Sequence, residues 1–313
     1  MIDYTIFYKT QMPLHSPWNE SEWDLFISAY SPTERVISTY NKVSAKHKHW
    51  LIFPEYGYTD AELPSSPHFI SLNRNEAEFI ASYWQWANEM GALTGNKVCL
   101  DITGFIRPYL IFFVKWLKEN GINKFDVIYS EPKFYSKRED TVFSDSNVLE
   151  VKQVPGFEGI HIPDTSKDVM IIGVGYEEHL IAHASESKEN SRKIQLFGFP
   201  SLSADMFQEN VIKVQKAEEE VGAEAETFFA PANDPFVTAN VIKDIVNDLK
   251  AHNSVTNLYL CPIATKPQTL GFSIYYIKEC QGMPVSIIFP YSELYSKETS
   301  SGILKIWKYT IEL

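Results

Sequence analysis

Cysteine and positive charge are both scarce in this chain, and each scarcity argues against one class of protein. The 313 residues include three cysteines, Cys99, Cys261 and Cys280, without a Cys-x-x-Cys spacing. This usage indicates a reducing compartment and no disulfide framework. The net charge of -12 argues against nonspecific nucleic-acid binding, which depends on neutralising phosphates. A small anionic ligand stays compatible with this charge, because a few local basic groups suffice to hold one.

Targeting and membrane-spanning signals are missing as well. The opening residues, MIDYTIFYKT, lack the basic and then apolar stretches of a signal peptide. The longest apolar run, residues 109–117, contains Lys115 and is too short to cross a bilayer. We therefore expect a cytoplasmic protein that does not contact a membrane. Apolar residues make up 44% of the chain and no low-complexity segment interrupts it, so we also expect a large buried core.

The chain contains an internal repeat. One copy begins VCLDITGFIRPYLIFFVKWLKENG and the other NLYLCPIATKPQTLGFSIYYIKECQG. Each predicts a buried strand, a small polar loop, a basic residue before proline, an amphipathic helix and a glycine. The matched positions are Arg107-Pro108 with Lys266-Pro267, and Tyr135-Ser136-Lys137 with Tyr295-Ser296-Lys297. Such self-similarity predicts two related half-domains.

The similarity extends upstream of these stretches. Apolar strands at residues 24–30 and 168–175 each precede a helix start, and strands at 49–57 and 193–201 follow them. Helices are then predicted at Asn75–Met90 and Asp234–Lys250, with an additional helix near residues 203–221. Each half is thus βαβαβαβ, which is typical of a mostly parallel sheet with helices on both faces. The predicted fold class is α/β, with two tandem Rossmann-like halves from an internal duplication.

This pattern also predicts the domain boundaries. The first Rossmann-like half covers residues 1–154, a linker covers 155–167, and the second half covers 168–313. A further strand is expected to close each half, at residues 147–154 and 303–313. Leu304 and Ile306 alternate with Lys305 and Lys308, which predicts that the second of these is an antiparallel edge strand.

Ligands of doubly wound sheets bind beyond the carboxyl ends of the strands. The loops at 101–108 and 262–268 each bring a hydroxyl and a cation to a helix N-terminus, which favours anions. We interpret them as two anion sites related by pseudo-symmetry. The alternative is that Arg107 and Lys266 are solvated or paired with nearby acidic residues. The predicted ligand-binding residues are Thr103, Gly104, Arg107, Thr265, Lys266, Gln268, Gly173, Gly175, Ser201 and Asn233.

Three other patterns permit two interpretations each. Gly173 and Gly175 form either a tight turn near a ligand or a plain turn, and they lack the third glycine of a dinucleotide fingerprint, so no cofactor is predicted. Asn233-Asp234-Pro235 is either a helix cap or a ligand loop. His179 and His183 share one helix face but show no third ligand, so we expect no metal. The segment 46–49, Lys-His-Lys-His, is interpreted as solvated residues that precede a strand.

Three functions fit these features. The first is a sensor module that holds an anionic, nucleotide-like molecule between the two halves. The second is a transferase acting on a nucleotide or sugar nucleotide. The third is a protein-interaction component of a larger complex. Because no nucleophile–base set is recognisable, the first is favoured and enzymatic activity stays open. The acid/base candidates of the enzyme hypothesis are Asp101, Glu131, Glu177 and Asp234.

The two matched loops carry a resemblance to a known family. DITGF with IRP, and IATKPQTLG, are similar to the strand, Thr-Gly or Thr-Lys, helix pattern of CRISPR-associated Rossmann-fold (CARF) ligand-sensing domains. Those domains bind small cyclic or linear oligonucleotides across a two-fold interface. The family's T-G-G-T-K run is divided here between Thr103-Gly104 and Thr265-Lys266. The resemblance implies a fused pseudo-dimer, a component of a defence system, and an effector supplied by a separate partner.

Overall fold

The computed structural model describes residues 2–14, 16, 18, 22–135, 144, 148–202, 225–297 and 300–313. The chain is α/β, and its described residues build two mostly parallel sheets of seven and six strands. The predicted helix near residues 203–221 lies outside the described residues. The elements of the first half are β1 (Lys9–Met12), β2 (Glu22–Ala29), α1 (Glu34–Lys42), β3 (Ser44–Ile52), β4 (His68–Ile70), α2 (Glu76–Glu89), β5 (Val98–Asp101), α3 (Arg107–Glu119) and β6 (Lys124–Tyr135).

The remaining elements repeat this alternation. They are β7 (Val148–Gln153), β8 (Val169–Gly173), α4 (Glu178–Ser187), β9 (Arg192–Gly198), β10 (Glu226–Ala230), α5 (Pro235–Ala251), β11 (Leu258–Pro262), α6 (Lys266–Glu279), β12 (Val285–Ser292) and β13 (Ser300–Glu312). The helices around residues 76–89 and 235–251 agree with the predicted ones. Both helices have a side-chain cap: Asn75 accepts from Glu78 N, and Asp234 accepts from the backbone N–H groups of Phe236 and Val237, as the cap interpretation of that loop predicted.

The repeat is confirmed by strand order. The parallel strands run β4-β3-β2-β5-β6 in one sheet and β10-β9-β8-β11-β12 in the other. Numbered within each half, both orders are 3-2-1-4-5, the arrangement of a Rossmann-like sheet. The two strongest repeat copies therefore supply the same element, since β5 and β11 each occupy the fourth position. The helices that follow the first strands are also equivalent: α1 packs against β6 and β13, and α4 against β12 and β7.

The closing strands do not lie where the sequence placed them. β7 was expected to close the first sheet, but it pairs antiparallel with β12 of the six-stranded sheet. β13 was expected to close the second sheet, but it pairs antiparallel with β6 of the seven-stranded sheet. β13 is not an edge strand either, because β1 pairs with its other side. The prediction failed because β6 and β12 present equivalent open edges, and an alternating strand pattern does not say which one it covers.

The compact units follow the exchanged strands. One unit consists of Met1–Ile6 with Ser144–Glu293, and the other of Phe7–Phe143 with Leu294–Leu313. The segment predicted as a linker forms hydrogen bonds to β12 within the first of these units: Ile287 N donates to Phe157 O at 3.0 Å, and Gly159 N donates to Ser286 Oγ at 2.9 Å. The unit of Met1–Ile6 and Ser144–Glu293 is called the six-stranded unit below, and the other is called the seven-stranded unit.

Two lysines, half-buried Lys48 and buried Lys193, occupy equivalent positions in the two halves. Lys48 was expected in a solvated segment, but that segment lies within β3, and Lys48 Nζ donates to Tyr40 O and Val43 O at the end of α1. On the corresponding strand β9, Lys193 Nζ donates to Lys188 O and Ser191 O after α4. Cations favour the C-terminal ends of helices, where carbonyls lack partners. Each lysine therefore fastens the first helix of its half to the second strand.

We predict that the seven-stranded unit depends on β13. A chain ending at Lys297 should aggregate or lose cooperative unfolding, because eleven paired positions of β6 would become an open edge. Size-exclusion chromatography and thermal unfolding measure this. A synthetic peptide of residues 300–313, added during refolding, should restore the monomer, whereas a scrambled peptide should not. A truncated monomer that melts within a few degrees of the full chain would contradict the prediction.

Candidate functional site

The carboxyl edge of the seven-stranded sheet collects the polar residues of this unit. The strand order places β2 and β5 side by side, and the chain leaves them toward opposite sides of the sheet. Gly104, in the loop after β5, lies against the end of β2, because a Cβ at this position would come 2.2 Å from Ala29 O. Only glycine permits this contact. The floor of the site is therefore made by backbone atoms of two neighbouring loops.

Asp101 and Thr103 hold these loops together. Asp101 is fully buried and accepts hydrogen bonds from Ser28 Oγ at 2.9 Å and Thr103 N at 3.0 Å. Thr103 Oγ1 accepts a hydrogen bond from Ser130 N at 3.0 Å, which ties the loop to β6. These contacts give both side chains a role in positioning the loop.

Arg35 is the residue of this edge that sequence reasoning missed. It is the second residue of α1 and only 7% exposed. One guanidinium nitrogen donates to Ser130 O at 3.0 Å, beside a 2.8 Å hydrogen bond between Thr39 and Ser130. Its buried Nε has no hydrogen-bond partner, and it forms no ion pair with any residue that the structure describes. A buried charge without a counter-ion is costly, so the position favours an anion.

Arg107 and three tyrosines lie near Arg35. Arg107 is the first residue of α3 and is half-buried. Burial raises the pKa of Tyr56, Tyr129 and Tyr135, and the positive charges of Arg35 and Arg107 partly offset that rise for all three. The two guanidinium groups therefore act on the same three phenols. We call Arg35, Arg107, Tyr56, Tyr129 and Tyr135 the arginine–tyrosine cluster.

Glu55 adjoins the arginine–tyrosine cluster and was also missed. It lies in the short turn after β3 and is 6% exposed. Its Oε1 accepts a hydrogen bond from Tyr109 Oη at 2.9 Å, and its buried Oε2 has no partner among the described residues. Burial raises the pKa of Glu55 to about 7, an effect that Tyr109 and Arg74 partly oppose. Glu55 therefore changes charge near neutral pH.

A short segment after β12 crosses this edge. Tyr295 N donates to Glu55 O at 3.0 Å, and Ser31 Oγ donates to Lys297 O at 3.3 Å. Lys297 Nζ lies 2.7 Å from a carboxylate oxygen of Glu62 and 4.8 Å from the Tyr58 ring centre. The second Tyr-Ser-Lys copy of the sequence repeat is thus part of the border of the site. In the first copy, Tyr135 belongs to the arginine–tyrosine cluster, and residues 136–137 lie outside the described chain.

The corresponding loops of the six-stranded unit are less charged. Thr265 caps α6 and donates to Ala232 O at 2.5 Å, and Lys266 is the first residue of that helix. Gln268 is fully buried, with its amide nitrogen 3.4 Å from Ala230 O. A Cβ at Gly175 would come 2.3 Å from Ile263 O, and one at Gly173 would come 3.0 Å from the Phe272 ring. Packing against the neighbouring loop thus accounts for Gly175, and packing of β8 against α6 accounts for Gly173.

Of the other predicted site residues, Glu131 adjoins the arginine–tyrosine cluster. It is buried in β6 and accepts from Trp307 Nε1 at 2.5 Å, and its charge adds to the rise that burial causes in the pKa of Tyr129 and Tyr135. Asp234 caps α5, while Ser201 and Asn233 are half-buried in loops after β9 and β10. Glu177 is buried and accepts a hydrogen bond from Ser144 Oγ.

The two histidines of α4 meet different neighbours. His179 Nε2 lies 3.4 Å from Ser144 Oγ, and His183 lies 3.8 Å from a carboxylate oxygen of Glu186. Within the described ranges, no group of three or more His, Cys, Asp or Glu side chains could hold a metal ion.

Comparisons with known proteins leave the chain without a family. No protein-family model matches it, and no curated protein does. A solved structure of CobK precorrin-6A reductase aligns with 84% of this chain and 86% of that chain, at 10% identity and a TM-score of 0.24. A score of this size establishes no shared fold, so the α/β assignment rests on the strand order. Among the described helices, none has the length and apolar character needed to cross a membrane.

We predict that Glu55 makes stability depend on pH. The folded chain keeps a proton on Glu55 up to about pH 7, whereas the unfolded chain loses it near pH 4.5. The contribution of Glu55 is therefore present at pH 5 and lost as the pH rises to 8. The unfolding free energy of Glu55→Gln relative to the wild type should increase by about 2–3 kcal/mol between pH 5 and pH 8.

Urea denaturation at both pH values measures this difference. Glu62→Gln is the matched control, because hydrogen bonds lower the pKa of Glu62 to about 2 and keep it ionised throughout the window. A Glu55→Gln variant whose stability changes with pH in parallel with the wild type would show that Glu55 is ionised in the folded chain.

Proposed function

We propose that the seven-stranded unit binds a small anionic, nucleotide-like ligand at the arginine–tyrosine cluster and serves as a binding or sensor module. The observation that carries this is Arg35, a buried cation that forms no ion pair with a described carboxylate and whose Nε has no hydrogen-bond partner. A phosphate oxygen beside it would accept the hydrogen bond that its Nε lacks. Charge-assisted bonds of this kind contribute about 1.5–3 kcal/mol each.

The surroundings of Arg35 support a phosphate more than an isolated carboxylate. Arg35 and Arg107 are in the first turns of α1 and α3, and the backbone N–H groups of a first helical turn attract anions. Two guanidinium groups give several donors in a fixed plane, which suits the several oxygens of a phosphate.

The aromatic residues support a ring on the same ligand. Tyr30, Tyr56, Tyr58 and Tyr295 are all half-buried, and their rings contact one another along the border of the cluster. Half-buried aromatic faces can stack on a base. Phosphate and base together indicate a nucleotide-like molecule.

One observation favours a catalytic alternative. Glu55 changes charge near pH 7 at the edge of the cluster, as a general acid or base would. This alternative is a transferase acting on a nucleotide or sugar nucleotide. It requires turnover of a bound nucleotide that Glu55→Gln abolishes while binding persists.

The binding proposal predicts a loss of affinity in defined variants. Arg107→Ala and Arg35→Gln should each weaken a nucleotide that binds the wild type by about tenfold to a hundredfold, because each removes a charge-assisted bond. A thermal-shift screen of mononucleotides and cyclic oligonucleotides, followed by calorimetry on the best one, measures this. Arg192→Ala is the control, since Arg192 is a half-exposed arginine paired with Glu226.

Two results would contradict the proposal. The first is a wild-type protein whose melting temperature no nucleotide raises, since a ligand at 100 times its Kd stabilises by about 2.7 kcal/mol. The second is an equal loss of affinity in Arg107→Ala and Arg192→Ala, which would indicate a general effect of charge. Lys266→Ala tests the predicted second anion site in the other unit with the same ligand.

A further inference from the structure

A second recess lies at the opposite, amino edge of the seven-stranded sheet. Its volume is about 690 Å³, within the range of small-molecule sites. The starts of β2, β5 and β6, the turn after α3 and the end of β13 contribute to it. We call this the amino-edge cavity, and its lining residues are Trp23, Asn96, Lys97, Val98, Gly121, Ile122, Asn123, Lys124, Phe125, Asp126, Lys308 and Thr310.

The charged side chains of the amino-edge cavity are mostly lysines. Three ammonium groups, those of Lys97, Lys124 and Lys308, line it together with the single carboxylate of Asp126. Lys124 is paired outward with Glu312 at 2.6 Å. The Nζ of Lys97 forms no hydrogen bond or ion pair with any residue in the described ranges. The charge of Asp24, which is paired with Lys46 at 2.6 Å, also acts on Lys97. Counting Lys46, Asp24 and Glu312 with the charged lining residues, the cations exceed the carboxylates by one, in a chain of net charge -12.

The one carboxylate is already engaged. Asp126 accepts hydrogen bonds from Trp23 Nε1 at 2.9 Å and from Thr310 Oγ1 at 2.7 Å. The ammonium of Lys308 lies 4.0 Å from its second oxygen. Asp126 therefore fixes the Trp23 indole and β13 in place and pairs with Lys308. Lys97 is the one of the three lining lysines that is paired with no carboxylate of the described residues.

The wall of the amino-edge cavity is apolar. Trp23, Val98 and Phe125 are 3%, 2% and 2% exposed, so each adds only part of its surface to the cavity. Apolar walls with a few convergent polar groups are the usual composition of small-molecule sites. Lysine ammoniums at the rim would attract a negative group, and the wall would cover an uncharged ring.

We propose that the amino-edge cavity is a second ligand site, which takes a small organic anion consisting of an aromatic ring and one phosphate or carboxylate. The negative group lies between Lys97 and Lys308, and the ring lies against Trp23 and Phe125. The site is independent of the arginine–tyrosine cluster, because it is built from the opposite ends of the same strands.

Phenyl phosphate is the probe for this site, measured by calorimetry on the full chain. Phenol tests the need for charge and inorganic phosphate tests the need for a ring, so both should bind at least tenfold more weakly. Lys97→Ala and Lys308→Ala should each reduce the affinity about fivefold to twentyfold. Lys97 is exposed, so its replacement keeps the test valid even where Lys308→Ala disturbs Asp126.

Arg192→Ala and Arg107→Ala are the controls. Arg192 is a half-exposed arginine paired with Glu226 and does not line the cavity, so its loss should leave binding unchanged. The proposal is overturned if phenyl phosphate does not bind, or if phenol binds equally well. It is also overturned if Arg107→Ala weakens binding while Lys97→Ala and Lys308→Ala do not, because the probe then occupies the carboxyl edge.

Discussion

The hydrogen-bonded ladder between β6 and β13 is the constraint on which the seven-stranded unit depends. β6 is the last parallel strand of its sheet, and its outer edge would otherwise present unpaired N–H and C=O groups. β13 covers that edge, receives β1 on its other side, and contacts α1. The helix that carries Arg35 is therefore supported by a strand from the far end of the chain. Both ligand sites proposed for this unit, one at each edge of the sheet, depend on that pairing.

In both halves, a glycine lets the loop after the first parallel strand approach the loop after the fourth. The glycine lies in a different one of these two loops in each half. In the seven-stranded sheet the glycine follows the fourth parallel strand and meets the carbonyl of Ala29, while in the six-stranded sheet Gly175 follows the first strand and meets the carbonyl of Ile263. The requirement is a close approach of two loops, and one glycine on either side satisfies it. The halves can therefore share a strand order while their loops differ in sequence.

The alternation of strands and helices in each half could be predicted from the sequence because its strand, loop and helix signals are local. The strand order itself is shown by the structure. The sequence did not predict the partners of β7 and β13, because strand pairing is a long-range choice between two equivalent edges. Arg107 was found because a basic residue before proline marks a helix start. Arg35 and Glu55 were missed because charged residues in a helix and a turn indicate solvent exposure by default. In retrospect, Arg35 lies four residues before Thr39 on the buried side of α1, and that spacing was the available signal.

Because the closing strands are exchanged, the boundaries of the sequence repeat differ from those of the folded units. In the sequence, each copy of the repeat is followed by one further strand, β7 or β13. In the folded chain, β7 belongs to the six-stranded unit, which ends before β13 begins. Apart from Met1–Ile6, the six-stranded unit is thus a continuous segment between the two parts of the seven-stranded unit. Because β1 and β13 are adjacent antiparallel strands, with Lys9 opposite Tyr309, the seven-stranded unit begins and ends side by side. The boundaries of the two units therefore fall one strand before those of the sequence repeat, ahead of β7 and of β13.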